Sequence, residues 1–116
     1  MASERVSFDA FDVVIVPFPF TDRGEAKRRP ALVLSSVTAL GDVVGHSVMA
    51  MITSAGNAPW PHDVPLTDLA AAGLPAASMV RVKLFTLDHR LVLRKAGTLA
   101  PADRQAVKKA LRAVMP

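Results

Sequence analysis

Apolar and polar positions along this 116-residue chain fall into short runs separated by turn-forming residues. Asp12 to Phe18 (DVVIVPF) is dense in β-branched residues, the composition of a buried strand, and Pro17 and Pro19 close it. A long polar loop, Thr21 to Arg29, leads to a second apolar strand at Ala31 to Ser36. Thr38 to Asp42 reads as a turn, and Val43 to Thr53 (VVGHSVMAMIT) as a third strand with Gly45 as a bulge. Ser54 to His62 holds Gly, Asn and two prolines, which predicts a loop with Trp60 as its one large apolar anchor.

The second half begins with a short strand at Val64 to Leu66 and one or two helical turns over Thr67 to Gly73. Thr67 is the expected N-cap and Gly73 the stop. Ser78 to Phe85 and Arg90 to Lys95 alternate as strands around a turn at Leu87-Asp88-His89, and Gly97 marks a break. Pro101 opens a helix, with Asp103 near its positive end. Val107, Ala110, Leu111 and Val114 form its apolar stripe, leaving Lys108, Lys109 and Arg112 toward solvent. Short strands, frequent turns and one closing helix predict a mainly β fold: a small barrel with a C-terminal α-helix, as a single domain over residues 1–116.

Composition narrows the class. Apolar residues make up 51% of the chain, which argues against disorder, yet no apolar run approaches the length of a membrane span. MASERVSFDA carries acids and lacks an apolar core, so no secretory signal is expected, and the reading is a cytoplasmic protein. There is no cysteine, hence no disulfide, thiol nucleophile or cysteine-based zinc site, and His46, His62 and His89 have no metal-ligand spacing. Charge is uneven: residues 1–58 hold five Lys/Arg against six Asp/Glu, and residues 59–116 hold nine against four. The balance suits an anionic partner, either nucleic acid or an acidic protein.

Candidate chemistry concentrates at KRRPALVLSS, Lys27 to Ser36. A proline biases its predecessor toward extended geometry, so Pro30 holds Arg29 at a strand mouth. A guanidinium fixed there suits phosphate, since it donates several hydrogen bonds and keeps its charge. The chain lacks GxSxG, GxxxxGK[ST], HExxH and clustered carboxylates. Asp63 and Asp68 read as isolated turn and cap residues, and His46 as packed within a strand. An enzyme with this equipment is expected to need no metal or cofactor. RNA supplies its own nucleophile, the 2′-hydroxyl, so a protein that aligns it and stabilises the added negative charge suffices. Arg29, and Thr53 with Ser54 at the end of the third strand, are the candidate parts. Lys27 and Arg28 are expected to contact phosphates, adding affinity more than chemistry. Trp60 reads as a loop anchor or a dimer contact, and base stacking near Trp60 and His62 is the alternative.

The ordered elements DVVIVPFPFTDRGEAKRRPALVLSS, MITS, SMVRVKLFTLDHR and KAGTLA resemble the MazF/PemK/Kid family of toxin endoribonucleases across residues 11 to 114. The resemblance implies an SH3-like barrel that forms homodimers, acts in a type II toxin–antitoxin system and is inhibited by a small acidic antitoxin. It implies sequence-selective cleavage of single-stranded mRNA through 2′-hydroxyl attack, leaving a 2′,3′-cyclic phosphate and a 5′-hydroxyl. Arg29 stands at the family's RP arginine, assigned to acid/base chemistry and phosphate stabilisation. Thr53 stands at its phosphate-supporting threonine, and Arg81 at a second catalytic arginine. The family's acidic residue two positions later is Lys83 here, which adds a cation to the RNA-binding set of Lys27, Arg28 and Ser54. The usual Gly-Asp before the first strand is Phe11-Asp12. Two other readings stay open: a gyrase-binding toxin on the same barrel, and a plain nucleic-acid-binding module.

Overall fold

A computed structural model describes residues 7–19 and 27–116. Of the predicted loop from Thr21 to Arg29, residues 21–26 lie outside the described residues. The β-branched run forms β1 (Asp12–Phe18), and the basic segment forms β2 (Lys27–Val33). β2 therefore starts four residues earlier than the apolar pattern indicates, because Lys27, Arg28 and Arg29 pair with Phe18, Pro17 and Val16. Their side chains stay exposed, so the ladder continues where no apolar signal marks it.

Residues after β2 wind into a π-type turn (Val37–Gly41) and a single α-turn, α1 (Asp42–Val44), where a simple turn and the start of a strand were expected. The Ser36 hydroxyl caps this stretch by accepting from the Ala39 N–H. Gly45 is its left-handed terminus, with φ of 65°, instead of a bulge. The third strand, β3 (His46–Ser54), begins only after it, and its irregularity lies between Ala50 and Met51. β4 (Val64–Pro65) is followed by α2 (Leu69–Ala72), capped by Asp68 and not Thr67, and stopped by Gly73 at φ of 70°. β5 (Ser78–Asp88) runs through the expected turn, which moves to a 3₁₀ turn at His89–Leu91. β6 (Arg94–Thr98) and α3 (Pro101–Val114) complete the order.

The six strands form one antiparallel sheet, β4-β5-β3-β2-β1-β6, curled into a half-barrel. The mainly β fold with a C-terminal helix is thus the observed one. Alternation along the strands gives the sheet two different faces. One carries Val13, Leu32, Ala50, Ile52 and Val80 into a core completed by Leu99, Val107 and Ala110. The other carries Val14, Val16, Ala31, Val33, Met49 and Leu87 beneath Phe8. On α3 the stripe buries Val107 and Ala110, while Val114 lies beyond the core and is exposed.

Asp103 links α3 to α2 on the first face. Its buried carboxylate accepts from the Thr67 N–H (3.0 Å), the Thr67 hydroxyl (2.8 Å) and the Asp68 N–H (3.1 Å). Burial alone raises its pKa, but the donors from Asp68 and Thr67 outweigh that and hold it below the usual carboxylate range. Gly97 lies within β6 and does not break it; a Cβ there would sit 2.3 Å from the Ala71 carbonyl oxygen. The glycine permits α2 to press onto the strand.

Phe11 keeps a left-handed backbone, φ of 71°, where the resemblance expects glycine. Its N–H donates to the Val33 oxygen and its carbonyl accepts from Leu99, which holds the residue from both sides. Arg104 and Lys108 lie over its ring at 5.5 and 5.6 Å. Lys108 is consequently half-buried over Phe11 instead of turned fully to solvent.

Candidate active site

The second face is apolar at one end and polar at the other, and the sheet register produces this change. Met51 pairs with Ala31 of β2 on one side and with Arg81 of β5 on the other. Continuing the antiparallel register by two residues brings Arg29 opposite Thr53. The same alternation places Phe18 two residues beyond Val16 on this face. In β5 the pairing steps from Ala50–Leu84 directly to Met51–Arg81, leaving Val82 and Lys83 as a two-residue bulge. Bulges re-aim side chains, and Lys83 comes onto the same face as Arg81.

These residues enclose a cavity of about 170 Å³ lined by Phe18, Arg29, Met51, Ile52, Thr53, Asn57, Arg81 and Lys83. The three residues expected to be catalytic, Arg29, Thr53 and Arg81, meet there, together with Lys83. Among the described residues the lining carries three cations and no carboxylate. Such a site attracts an anion.

Its two arginines differ in how they are held. The Arg29 guanidinium has no hydrogen-bond or ion-pair partner among the described residues, and its backbone is held in the ladder opposite Val16. Arg81 is engaged on several sides. Its Nε and Nη2 donate to the two carboxylate oxygens of Asp63 at 3.2 and 3.0 Å, and Nη2 also donates to the Ala58 carbonyl at 2.8 Å. The side chains of this pair are only 12% and 5% exposed. The guanidinium lies 4.7 Å from the centre of the Trp60 ring. Its hydrogen bond to Asp63 raises the Arg81 pKa, and the same bond holds the Asp63 carboxyl below the usual carboxylate range.

Asp63 is therefore not the isolated turn residue expected from sequence. It accepts from the Trp60 N–H at 2.8 Å, which is a turn role, but it also clamps Arg81 from 18 positions away. The Thr53 hydroxyl accepts from the Asn57 side chain, so Asn57 orients it, a partner the sequence did not single out. The Lys83 ammonium lies 5.5 Å from the Phe18 ring centre. Ser54 is outside the lining, and its hydroxyl accepts from the Gly56 N–H at 3.3 Å. Lys27 and Arg28 are exposed at the start of β2, near the cavity but not in its lining.

The histidines lie elsewhere. His46 is half-buried at the far end of β3, its Nδ1 2.9 Å from the Val44 oxygen. His89 is buried, with Nε2 2.6 Å from the Ser47 hydroxyl and its ring edge-on to Phe8. Ser47 is fully buried, and His89 lines a separate cavity of about 620 Å³ together with His46, Asp88 and Arg90, away from the one that holds Arg29, Thr53 and Arg81.

Comparison with known proteins gives this arrangement its family. A family model described as "PemK-like, MazF-like toxin of type II toxin-antitoxin system" matches residues 9–115. The chain belongs to this toxin family. Among solved structures, a MazE–MazF complex from Deinococcus radiodurans shares 24% identity with it, covering 95% of this chain and 97% of the other, with a TM-score of 0.74. An endoribonuclease in complex with its cognate antitoxin, from Mycobacterial species, is 16% identical, covers 94% and 93% of the two chains, and has a TM-score of 0.72. The Mycobacterium tuberculosis toxin MazF-mt6 is 21% identical over 88% and 93%, with a TM-score of 0.69. At these identities the likeness is one of fold. No curated protein matches the chain. Among the described residues no helix is long and apolar enough to cross a membrane.

Proposed function

We propose that this PemK/MazF-family toxin is a metal-independent endoribonuclease that cleaves single-stranded mRNA in the cytoplasm. The observation that carries the reading is the convergence of Arg29, Thr53, Arg81 and Lys83 on one cavity without a lining carboxylate among the described residues. The scissile phosphate occupies the cavity. The 2′-oxygen of the preceding ribose attacks in line, its bond to phosphorus forms, and the bond to the 5′-oxygen breaks. The products are a 2′,3′-cyclic phosphate and a 5′-hydroxyl, with the 2′-hydroxyl proton lost and one gained by the leaving oxygen.

Negative charge builds on the phosphorus oxygens during this displacement, and preorganised donors stabilise it. Arg81, fixed by Asp63 and Ala58, is a permanent positive charge on one side. A guanidinium keeps its protons in a protein, so Arg81 acts by charge and orientation. Arg29 faces it from β2 with donors available for the phosphate and the leaving oxygen. Thr53, oriented by Asn57, donates its hydroxyl to a phosphate oxygen. Lys83 replaces the family's acid with a third cation, and Lys27, Arg28 and Ser54 guide the flanking RNA. Selectivity among RNA sequences belongs to the loops around this cavity.

The reading includes a cognate acidic antitoxin, consistent with the antitoxin complexes among its structural neighbours and with a cationic cavity. It also includes a homodimer, for which exposed Val43, Val44, Leu91 and Leu93 supply apolar surface. The test is incubation of single-stranded RNA with wild type and Arg29→Ala in EDTA, followed by mapping of 5′-hydroxyl ends. Cleavage is expected from wild type alone, and a 2′-deoxy nucleotide at the cut site should abolish it. Cleavage that requires metal, or that survives Arg29→Ala undiminished, would sink the assignment.

A further inference from the structure

The loop between β3 and β4 exposes an aromatic surface beside the cavity that the cleavage step does not use. Trp60 is 45% exposed, although Arg81 lies against its ring. An anchor that only held the loop would be expected to bury the indole. The backbone around Trp60 is instead constrained to present it. Pro59 and Pro61 flank it, and His62 takes a left-handed φ of 65°. The Trp60 N–H donates to Asp63, whose own N–H donates back to the Trp60 carbonyl at 3.3 Å. Little conformational freedom remains to be lost when a ligand meets the ring.

Arg81 sets where such a ligand would lie. It lines the cavity and also contacts the indole, so the ring stands at the rim of the phosphate site. Unpaired nucleobases stack on exposed aromatic side chains with little dependence on base identity. We propose that Trp60 is a stacking platform for an unpaired nucleobase next to the phosphate held in the cavity. The inference rests on the ribonuclease reading and adds a base-binding subsite to it. The Asp63–Arg81 pair positions the platform and the phosphate-binding guanidinium together, so base and phosphate are registered to each other through one ion pair.

The chain has one tryptophan and no tyrosine, so its indole emission reports on Trp60 alone. Two uncleavable probes separate base from phosphate: a mixed-sequence 2′-O-methyl RNA oligonucleotide and an abasic phosphodiester oligomer of equal length. The RNA analogue should quench or shift the emission, and the abasic oligomer should not. By fluorescence anisotropy of labelled probes, Trp60→Ala should weaken binding of the RNA analogue by roughly tenfold or more, the scale of losing one base–aromatic stack. Binding of the abasic oligomer should be unchanged, and Trp60→Phe should retain most of the affinity. Should Trp60→Ala fail to fold, wild-type emission and Trp60→Phe still decide the matter. Emission unmoved by bound RNA, or equal weakening of both probes, overturns the platform while wild-type cleavage leaves the ribonuclease reading standing. Emission that follows protein concentration instead of RNA marks a contact between copies and also overturns it. Failure to bind either probe, with no cleavage, overturns both.

Discussion

The two faces of the sheet start from the same alternating strands and end differently. The first is closed by α2 and α3 along its length, with Val13, Leu32, Ala50 and Ile52 packed against Leu99, Val107 and Ala110. Among the described residues the second is closed only at the Phe8 end, and past Ala31 and Met51 its side chains become Arg29, Thr53, Arg81 and Lys83. A face covered along its length contributes stability and leaves little room for a ligand. A face left open at one end can gather unlike side chains around a ligand while the closed end supports them. The contrast predicts that substitutions on the first face change stability, and that substitutions at the open end change activity.

The largest expected effect is at the open end. Arg29→Ala should lower the cleavage rate by about 10²–10³-fold, the scale of removing one preorganised donor to a developing charge. Stability should stay within about 0.5 kcal/mol of wild type, since Arg29 is exposed. Rate measurement with a parallel denaturant melt checks both halves; a large loss of stability would erase the division between faces. On the closed face the pattern should reverse. Asp103→Ala removes the acceptor for Thr67 and Asp68 from a buried position and should cost about 2–4 kcal/mol. The surviving folded fraction should cleave RNA at the wild-type rate. Gly97→Ala forces a methyl group into the Ala71 carbonyl and should cost about 1–3 kcal/mol, again with activity per folded molecule preserved. A fall in that specific activity would show that the closed face transmits strain to the cavity.

How much of this was readable in sequence follows the same division. β1 was visible because its buried residues are consecutive and β-branched. The first three residues of β2 were not, since paired strand with exposed basic side chains has the composition of a loop. The Gly97 signal was legible as a special position, but its cause is α2 pressing on β6, which no local pattern encodes. Arg29 was found through the proline that follows it, Thr53 through its place at the end of the third strand, and Arg81 through the family resemblance. Asp63 was missed because its partner lies 18 residues on and the two join only through the sheet. One signal was present: with Lys83 where the resemblance expects an acid, an aspartate in the adjoining loop was the place to look for a carboxylate. The buried contact of Ser47 with His89 spans 42 residues and had no sequence signal at all.

Asp63 tests the boundary between the faces, because it serves stability and site geometry together. Asp63→Asn keeps the shape of the side chain and removes the charge that holds Arg81. Its melting temperature at neutral pH should be lower than wild type by a few degrees, and the cleavage rate should fall by less than for Arg29→Ala, since Arg81 remains present but less fixed. The pH dependence identifies the cause. The Asp63 carboxyl is held below its ordinary value by Arg81, so the stabilisation is fully present above the unfolded carboxylate range and is lost as pH falls through the folded pKa. The gap in melting temperature between wild type and Asp63→Asn should therefore be constant from about pH 7 to pH 5 and close below about pH 4. The raised pKa of Arg81 places its own loss above the range in which RNA survives, so it adds nothing to the acid limb. A gap that persists unchanged into acid would mean that Asp63 acts through its backbone turn with Trp60. The open end would then owe its order to loop packing and not to the ion pair.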